Sequence, residues 1–149
     1  MTKDCKEAKK WLNRSYHKAK QLASDKRMLE VLLNLLGSGV ARYENDGTDA
    51  QDHDASRHKH EDTLLDYSER KAKVEAEEQA LVKEITKTRT VIDKLDDPDH
   101  KAVAIDRYIN HLQWNDIAKL EHVSRAQAFR IHDKMLEKMV PILRKDGII

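Results

Sequence analysis

Residues Ala104–His132 read AIDRYINHLQWNDIAKLEHVSRAQAFRIH, and the fold of the chain turns on how this stretch is parsed. Apolar residues recur in it at three- and four-residue steps, in short bursts, the period of helices that turn one face to a core. The spacing predicts helices over His100–Asn110, Trp114–Leu120 and Arg125–Met139. Tyr108, Leu112, Trp114, Ile117, Ala118, Val123, Ala128 and Ile131 are the predicted core, with Val103, Ala104, Leu120, Met135, Leu136 and Met139 extending it. Ala118 is small where two helices cross closely, Val123 plugs the turn, and the stem of Arg107 can cover Trp114. Ser124 stands where its hydroxyl can cap the last helix. Helix, tight turn and a second helix with a polar outer face form a helix-turn-helix layout.

The stretch resembles the region 4 helix-turn-helix of bacterial sigma factors, and that resemblance implies that the outward positions of the second helix are Arg125, Ala126, Gln127, Phe129, Arg130 and Asp133. A guanidinium fork matches guanine O6 and N7, a glutamine amide pairs with adenine, and an apolar side chain meets a thymine methyl. Arg125, Gln127, Phe129 and Arg130 are therefore the candidates for reading base edges, and double-stranded DNA is the expected partner. A slightly rotated helix would instead make Phe129 a core aromatic, since large aromatics are mostly buried. Lys101, Lys119, Ser124 and Lys134 are the candidates for phosphate contact; each lone lysine reads equally well as solvated surface.

Upstream, Asp96-Asp97-Pro98-Asp99 breaks the chain's helical pattern, because proline lacks an amide hydrogen and restricts the residue before it. Before this break, Leu64, Tyr67, Lys71, Val74, Glu78, Leu81, Ile85, Thr88, Ile92 and Leu95 form a heptad stripe within a helix over 62–95. Lys71 and Glu78 weaken it. Such a stripe needs a partner. The amphipathic segment from Thr2 to Leu36 can supply one by folding back as an antiparallel hairpin, a second copy can supply one, and a four-helix dimer satisfies both stripes. Met28–Leu36 is apolar nearly all round and is expected to be buried. Gly37-Ser38-Gly39 is a helix stop, and 37–60, poor in large apolar groups, reads as a flexible acidic loop. The expected organisation is all-α: a helical hairpin over 1–96 containing that loop, a helix-turn-helix over 97–143, and a frayed tail over 144–149, with docking of Ile148 and Ile149 as the alternative.

Charged residues make up 37% and hydrophobic ones 39% of the 149 residues, which favours long helices with wide solvated faces. The net charge is +1, but it is unevenly spread: residues 1–30 hold nine Lys/Arg against four Asp/Glu, and residues 44–62 hold two against seven. A local basic face is what nucleic-acid contact needs, and a neutral total does not exclude it. The single cysteine, Cys5, fits a reducing compartment. With no apolar signal core and no run of eighteen apolar residues, a cytoplasmic location without membrane contact is expected. His53, His58 and His60 stand among Asp52, Asp54, Glu61 and Asp62, yet a solvated polar loop explains that composition and no metal is expected. There is no glycine-rich phosphate loop, nucleophile elbow or convergent carboxylate pocket, so neither an enzyme nor a cofactor is expected.

The run Ile105-Asp-Arg-Tyr-Ile, then Trp114-Asn-Asp-Ile-Ala, then Val123-Ser-Arg-Ala-Gln-Ala-Phe-Arg-Ile-His resembles the region 4 helix-turn-helix of bacterial sigma factors. With Lys9-Lys-Trp-Leu-Asn-Arg-Ser-Tyr and Ile92-Asp-Lys-Leu-Asp-Asp-Pro ahead of it, nearly the whole chain is similar to small helical proteins of Gram-positive phages and prophages, related to ArpU-type and RinA-type late transcription regulators. The resemblance implies a regulator of late genes in a host bacterial cell, with RNA polymerase a candidate partner; the heptad stripe itself points to a homodimer formed through the 62–95 helix. Two other readings stay open on the residues themselves. One is an interaction module whose hairpin captures a host or mobile-element protein, and the other is a packaging protein like a terminase small subunit.

Overall fold

The computed structural model describes residues 1–45 and 50–149, with side chains described outside 38–56. All its regular elements are helical: α1 (Lys3–Leu12), α2 (Arg14–Asn45), α3 (Ala50–Ile92), α4 (Pro98–Ala104) continued by a π-helical turn (Ile105–Ile109), α5 (Trp114–Leu120) and α6 (Arg125–Lys145). The expected all-α class is what the structure has. The chain divides into two compact units: residues 1–19 with 81–149, and residues 20–80.

In the first unit, the expected single helix from Thr2 to Leu36 is broken at Asn13. Thr2 caps α1 by accepting from the Cys5 amide at 3.2 Å, and the Asn13 amide closes its far end on the Lys9 carbonyl. Arg14 then spans the break. It donates to the Trp11 carbonyl at 2.9 Å and to the Glu84 carbonyl at 3.2 Å, and it pairs with the Glu84 carboxylate. The Lys18 and Arg14 cations beside Glu84 hold its carboxyl below the usual range. The break frees α1 to pack on α6, so that Cys5, Ala8 and Leu12 share one core with Val91, Ile92, Leu95, Ala104, Tyr108, Met135, Leu136, Met139 and Leu143.

The tail expected to fray from 144 onward is tied down. α6 runs to Lys145, through Pro141. Gly147, at φ 71°, then closes it. The Gly147 amide bonds to the Arg144 carbonyl at 3.1 Å and the Ile148 amide to the Leu143 carbonyl at 2.9 Å. This is the paired bonding of a glycine-closed helix end, and it lays Ile148 and Ile149 against the core.

In the second unit, the glycine stop expected at Gly37 is absent: α2 continues through it to Asn45, and α3 begins at Ala50. The loop expected over 37–60 is thus helical at both ends, while 46–49 lie outside the described residues. Nothing lies within 4 Å of a Cβ built on Gly37, so this glycine answers no packing demand. The polar residues around it are mediocre rather than prohibitive helix formers. Leu22, Leu32 and Leu36 of α2 and Val74 of α3 are buried, and Lys26 pairs with Glu78. Asp25, beside Glu77, pushes that carboxyl up. The Met28–Leu36 run was expected to be buried all round, but it is buried on one side only: Met28, Val31, Leu33 and Leu35 are 43–56% exposed. Leu64, a member of the heptad stripe, is 48% exposed, whereas Tyr67 is half-buried and Val74 buried.

Candidate nucleic-acid interface

The helix-turn-helix is built from α5, a four-residue turn and α6. α5 ends in a left-handed closure: His122, at φ 56°, lets its own amide reach the Lys119 carbonyl at 3.3 Å and the Val123 amide the Ala118 carbonyl at 3.0 Å. A non-glycine residue there costs about 1–2 kcal/mol. The closure turns Val123 inward, half-buried, and delivers Ser124 to the start of α6. The Ser124 Oγ accepts from the Gln127 amide at 3.1 Å, the predicted cap. That hydroxyl is therefore engaged within the protein.

Behind the turn, Tyr108, Ile117, Ala118 and Ala128 are buried as predicted. Leu112, Trp114, Val123 and Ile131 are half-buried at the rim. Leu120 is not a core residue: it is 59% exposed. The first helix of the module starts at Pro98, with Asp97 as its cap, and changes pitch at Ile105. There the Asn110 amide reaches back five residues to the Ile105 carbonyl at 3.0 Å. This π turn rotates Tyr108 into the core, where its hydroxyl meets His132 Nε2 at 2.5 Å. His132 also packs edge-on against Trp114, ring centroids 4.8 Å apart. Burial holds the His132 imidazole down at about 4, so it is neutral at pH 7, and the same burial pushes the Tyr108 phenol up. The pair is a neutral hydrogen-bonded strut between the first and last helices of the module. Its role was not legible in the sequence, because nothing local separates a buried histidine from a surface one.

The base-readout candidates come together on the N-terminal half of α6. Arg125, Gln127 and Arg130 are exposed, and Arg130 donates to the Gln127 side-chain oxygen at 3.4 Å. Phe129 is 36% exposed, with one face on Trp114 at a centroid distance of 4.7 Å. It is neither a free wedge nor a core aromatic, but the outer plate of a stack. The Arg125 guanidinium lies 5.5 Å from its centroid, and Arg107 lies 5.0 Å from that of Trp114. Arg107 also donates to the Leu112 carbonyl at 2.9 Å, which fixes the entry to α5. Of the phosphate candidates, Lys119 and Lys134 are exposed and Lys101 is half-buried on α4.

Acidic groups also border the face. A shallow cleft of about 210 Å³ brings Asp97 and Asp99 alongside Gln127, Arg130 and Lys134. In the turn, Glu121 lies against Asp106; partial burial and the neighbouring carboxylate push the Glu121 carboxyl up. Elsewhere His58 is exposed and His60 half-buried, while the side chains of Asp52, His53 and Asp54 lie outside the described residues. Among the described residues, no three His, Cys, Asp or Glu are grouped to hold a metal, and no helix is long and apolar enough to cross a membrane. No family model matches this chain, nor does any curated protein or any solved structure.

Proposed function

We propose that the protein is a sequence-specific DNA-binding transcription regulator that works by binding rather than by catalysis. In this reading α6 lies in the major groove with Arg125, Gln127, Phe129 and Arg130 at base edges, while Lys119 and Lys134 touch phosphates. The observation that carries it is the solvent-facing cluster of Arg125, Gln127 and Arg130 at the start of a capped helix, backed by a rigid stack of Phe129 on Trp114. Neither arginine forms an ion pair with an acidic residue among the described residues. Two unpaired guanidinium groups and an amide, held in register on a rigid element, suit base-edge recognition. The resemblance to phage late-gene regulators directs the proposal to late promoters, with RNA polymerase as a further partner.

A homodimer belongs to the same proposal. It would form through the 62–95 helix, where Leu64, Leu65 and Val82 are exposed; Met28, Val31 and Leu35 add an exposed apolar stripe on α2. That exposed apolar stripe also favours the alternative reading, an interaction module whose helix pair holds another protein. Fluorescence anisotropy of the full chain on a pool of random duplexes at low salt decides between them. Saturable binding supports the regulator, and its absence overturns it.

A further inference from the structure

The N-terminal helix joins the same unit as the helix-turn-helix, and it is strongly basic. Residues 1–19 hold six Lys/Arg against two Asp/Glu. Arg14 and Lys18 are engaged by Glu84, and Asp4 is engaged by Arg144. Lys3, Lys6, Lys9 and Lys10 have no ion-pair partner among the described residues and are all exposed.

The placement of α1 follows from its buried face. Cys5, Ala8 and Leu12 point into the shared core. At 100° per residue, Lys9 falls on one flank of that face with Lys6 beyond it, Asp4 falls on the other flank, and Lys3 and Lys10 point away from the core. Two contacts fix which flank is which. Asp4 reaches Arg144, near the far end of α6. Thr2 and Cys5, toward the Lys9 side of the helix, line a shallow cleft with Asp133, Leu136 and Glu137 in earlier turns of α6. The chain just after α1 stays on this side: Ser15 Oγ donates to the Tyr108 carbonyl at 3.3 Å, and the Tyr16 ring meets His111 edge-on at 5.6 Å, immediately before α5. Lys9 and Lys6 therefore stand on the side of α1 that faces the end of the unit where α5 and α6 begin, with Lys10 exposed on the outer surface next to them.

We infer that Lys6, Lys9 and Lys10 of α1 form a second phosphate-binding surface, a clamp on the DNA backbone beside the groove occupied by α6. The inference rests on the DNA-binding reading above and extends it to a segment that lies some hundred residues away in sequence. It explains how a protein of net charge +1 gathers enough local positive charge to hold a polyanion: the basic N-terminus is folded onto the reading module. Each backbone phosphate neutralised contributes about −0.9 to the slope of log affinity against log salt on duplex DNA.

The test uses the full chain and the triple variant K6Q/K9Q/K10Q, titrated onto duplex DNA across a range of salt concentrations. Circular dichroism melting checks that the exposed substitutions leave the fold intact. The expected result is a slope shallower by about 2–3, with weaker binding to every sequence alike and an unchanged ranking of sequences. An unchanged slope in the variant, with the parent still binding DNA, overturns the clamp and leaves the regulator reading standing. A parent that binds no DNA overturns both.

Discussion

The two compact units use helices in opposite ways. The unit of residues 1–19 and 81–149 buries a continuous core in which Leu12, Ile92, Tyr108, Ile117, Met135, Leu136, Met139 and Leu143 are at most 1% exposed. Among its described residues, the unit of residues 20–80 buries Leu22, Leu32, Leu36 and Val74, at 6–8% exposure, and leaves Val31, Leu33, Leu35 and Leu65 more than half exposed. Helix ends in the first unit have explicit closures at Thr2, Asn13, Asp97, His122, Ser124 and Gly147. The contrast separates a closely packed unit, the proposed reading head, from a thinly packed helix pair that leaves several large apolar side chains exposed among its described residues. A site that must hold side chains against base edges needs the first kind of packing; a surface that awaits a partner shows the second.

The largest effect should come from the core, and it tests whether α1 belongs to the reading head. Leu12→Ala should cost about 2–5 kcal/mol in urea unfolding, as Leu136→Ala should, whereas Leu32→Ala in the helix pair should fall at or below about 2 because its surroundings can collapse. A Leu12→Ala cost below about 1 kcal/mol would detach α1 from the core and remove the basis of the lysine clamp.

Acid should also distinguish the units. His132 titrates at about 4 in the folded protein, against 6.5 for a free imidazole. Between those values the unfolded chain takes up a proton that the folded chain refuses. This contribution is therefore complete above about pH 6.5 and is lost as pH falls toward 4, a total of about 3 kcal/mol. His132→Gln should flatten the stability profile in that window, and an unchanged profile would mean that the ring is not held neutral.

Smaller effects sharpen the account of the reading face. Arg125→Ala and Arg130→Ala should each cost about 1–3 kcal/mol of DNA affinity, confined to one base position, while Lys119→Ala should weaken all sequences equally. His122→Gly should raise stability by up to about 1 kcal/mol by relieving a left-handed non-glycine residue. A loss instead would show that the imidazole makes a contact worth more than the strain.

The sequence made the helix-turn-helix legible because its signals are local. The 3.6-residue period placed α5 and the start of α6 at their observed residues, and Ser124 announced its cap. Features set by distant packing were hidden. The break at Asn13 depends on Glu84, some seventy residues away, engaging Arg14. The inward turn of Tyr108 depends on a π turn that no residue type signals. Gly37 looked like a stop, because glycine commonly closes helices, yet it also sits inside one where nothing crowds it. The tail looked frayed because Ile148 and Ile149 earn burial only through the bend at Gly147. Of the candidate site, the exposed arginines and glutamine were readable from the helical period. The stack beneath Phe129 and the docked basic helix were not.

Whether the start of α6 reads sequence is decided by selecting bound duplexes from a random pool, with the full chain and its R125A/R130A variant compared side by side. The parent should enrich one motif containing guanines, and the variant should still hold DNA but lose that motif. Enrichment of the same motif by both proteins, or of none by the parent, would contradict sequence reading by α6.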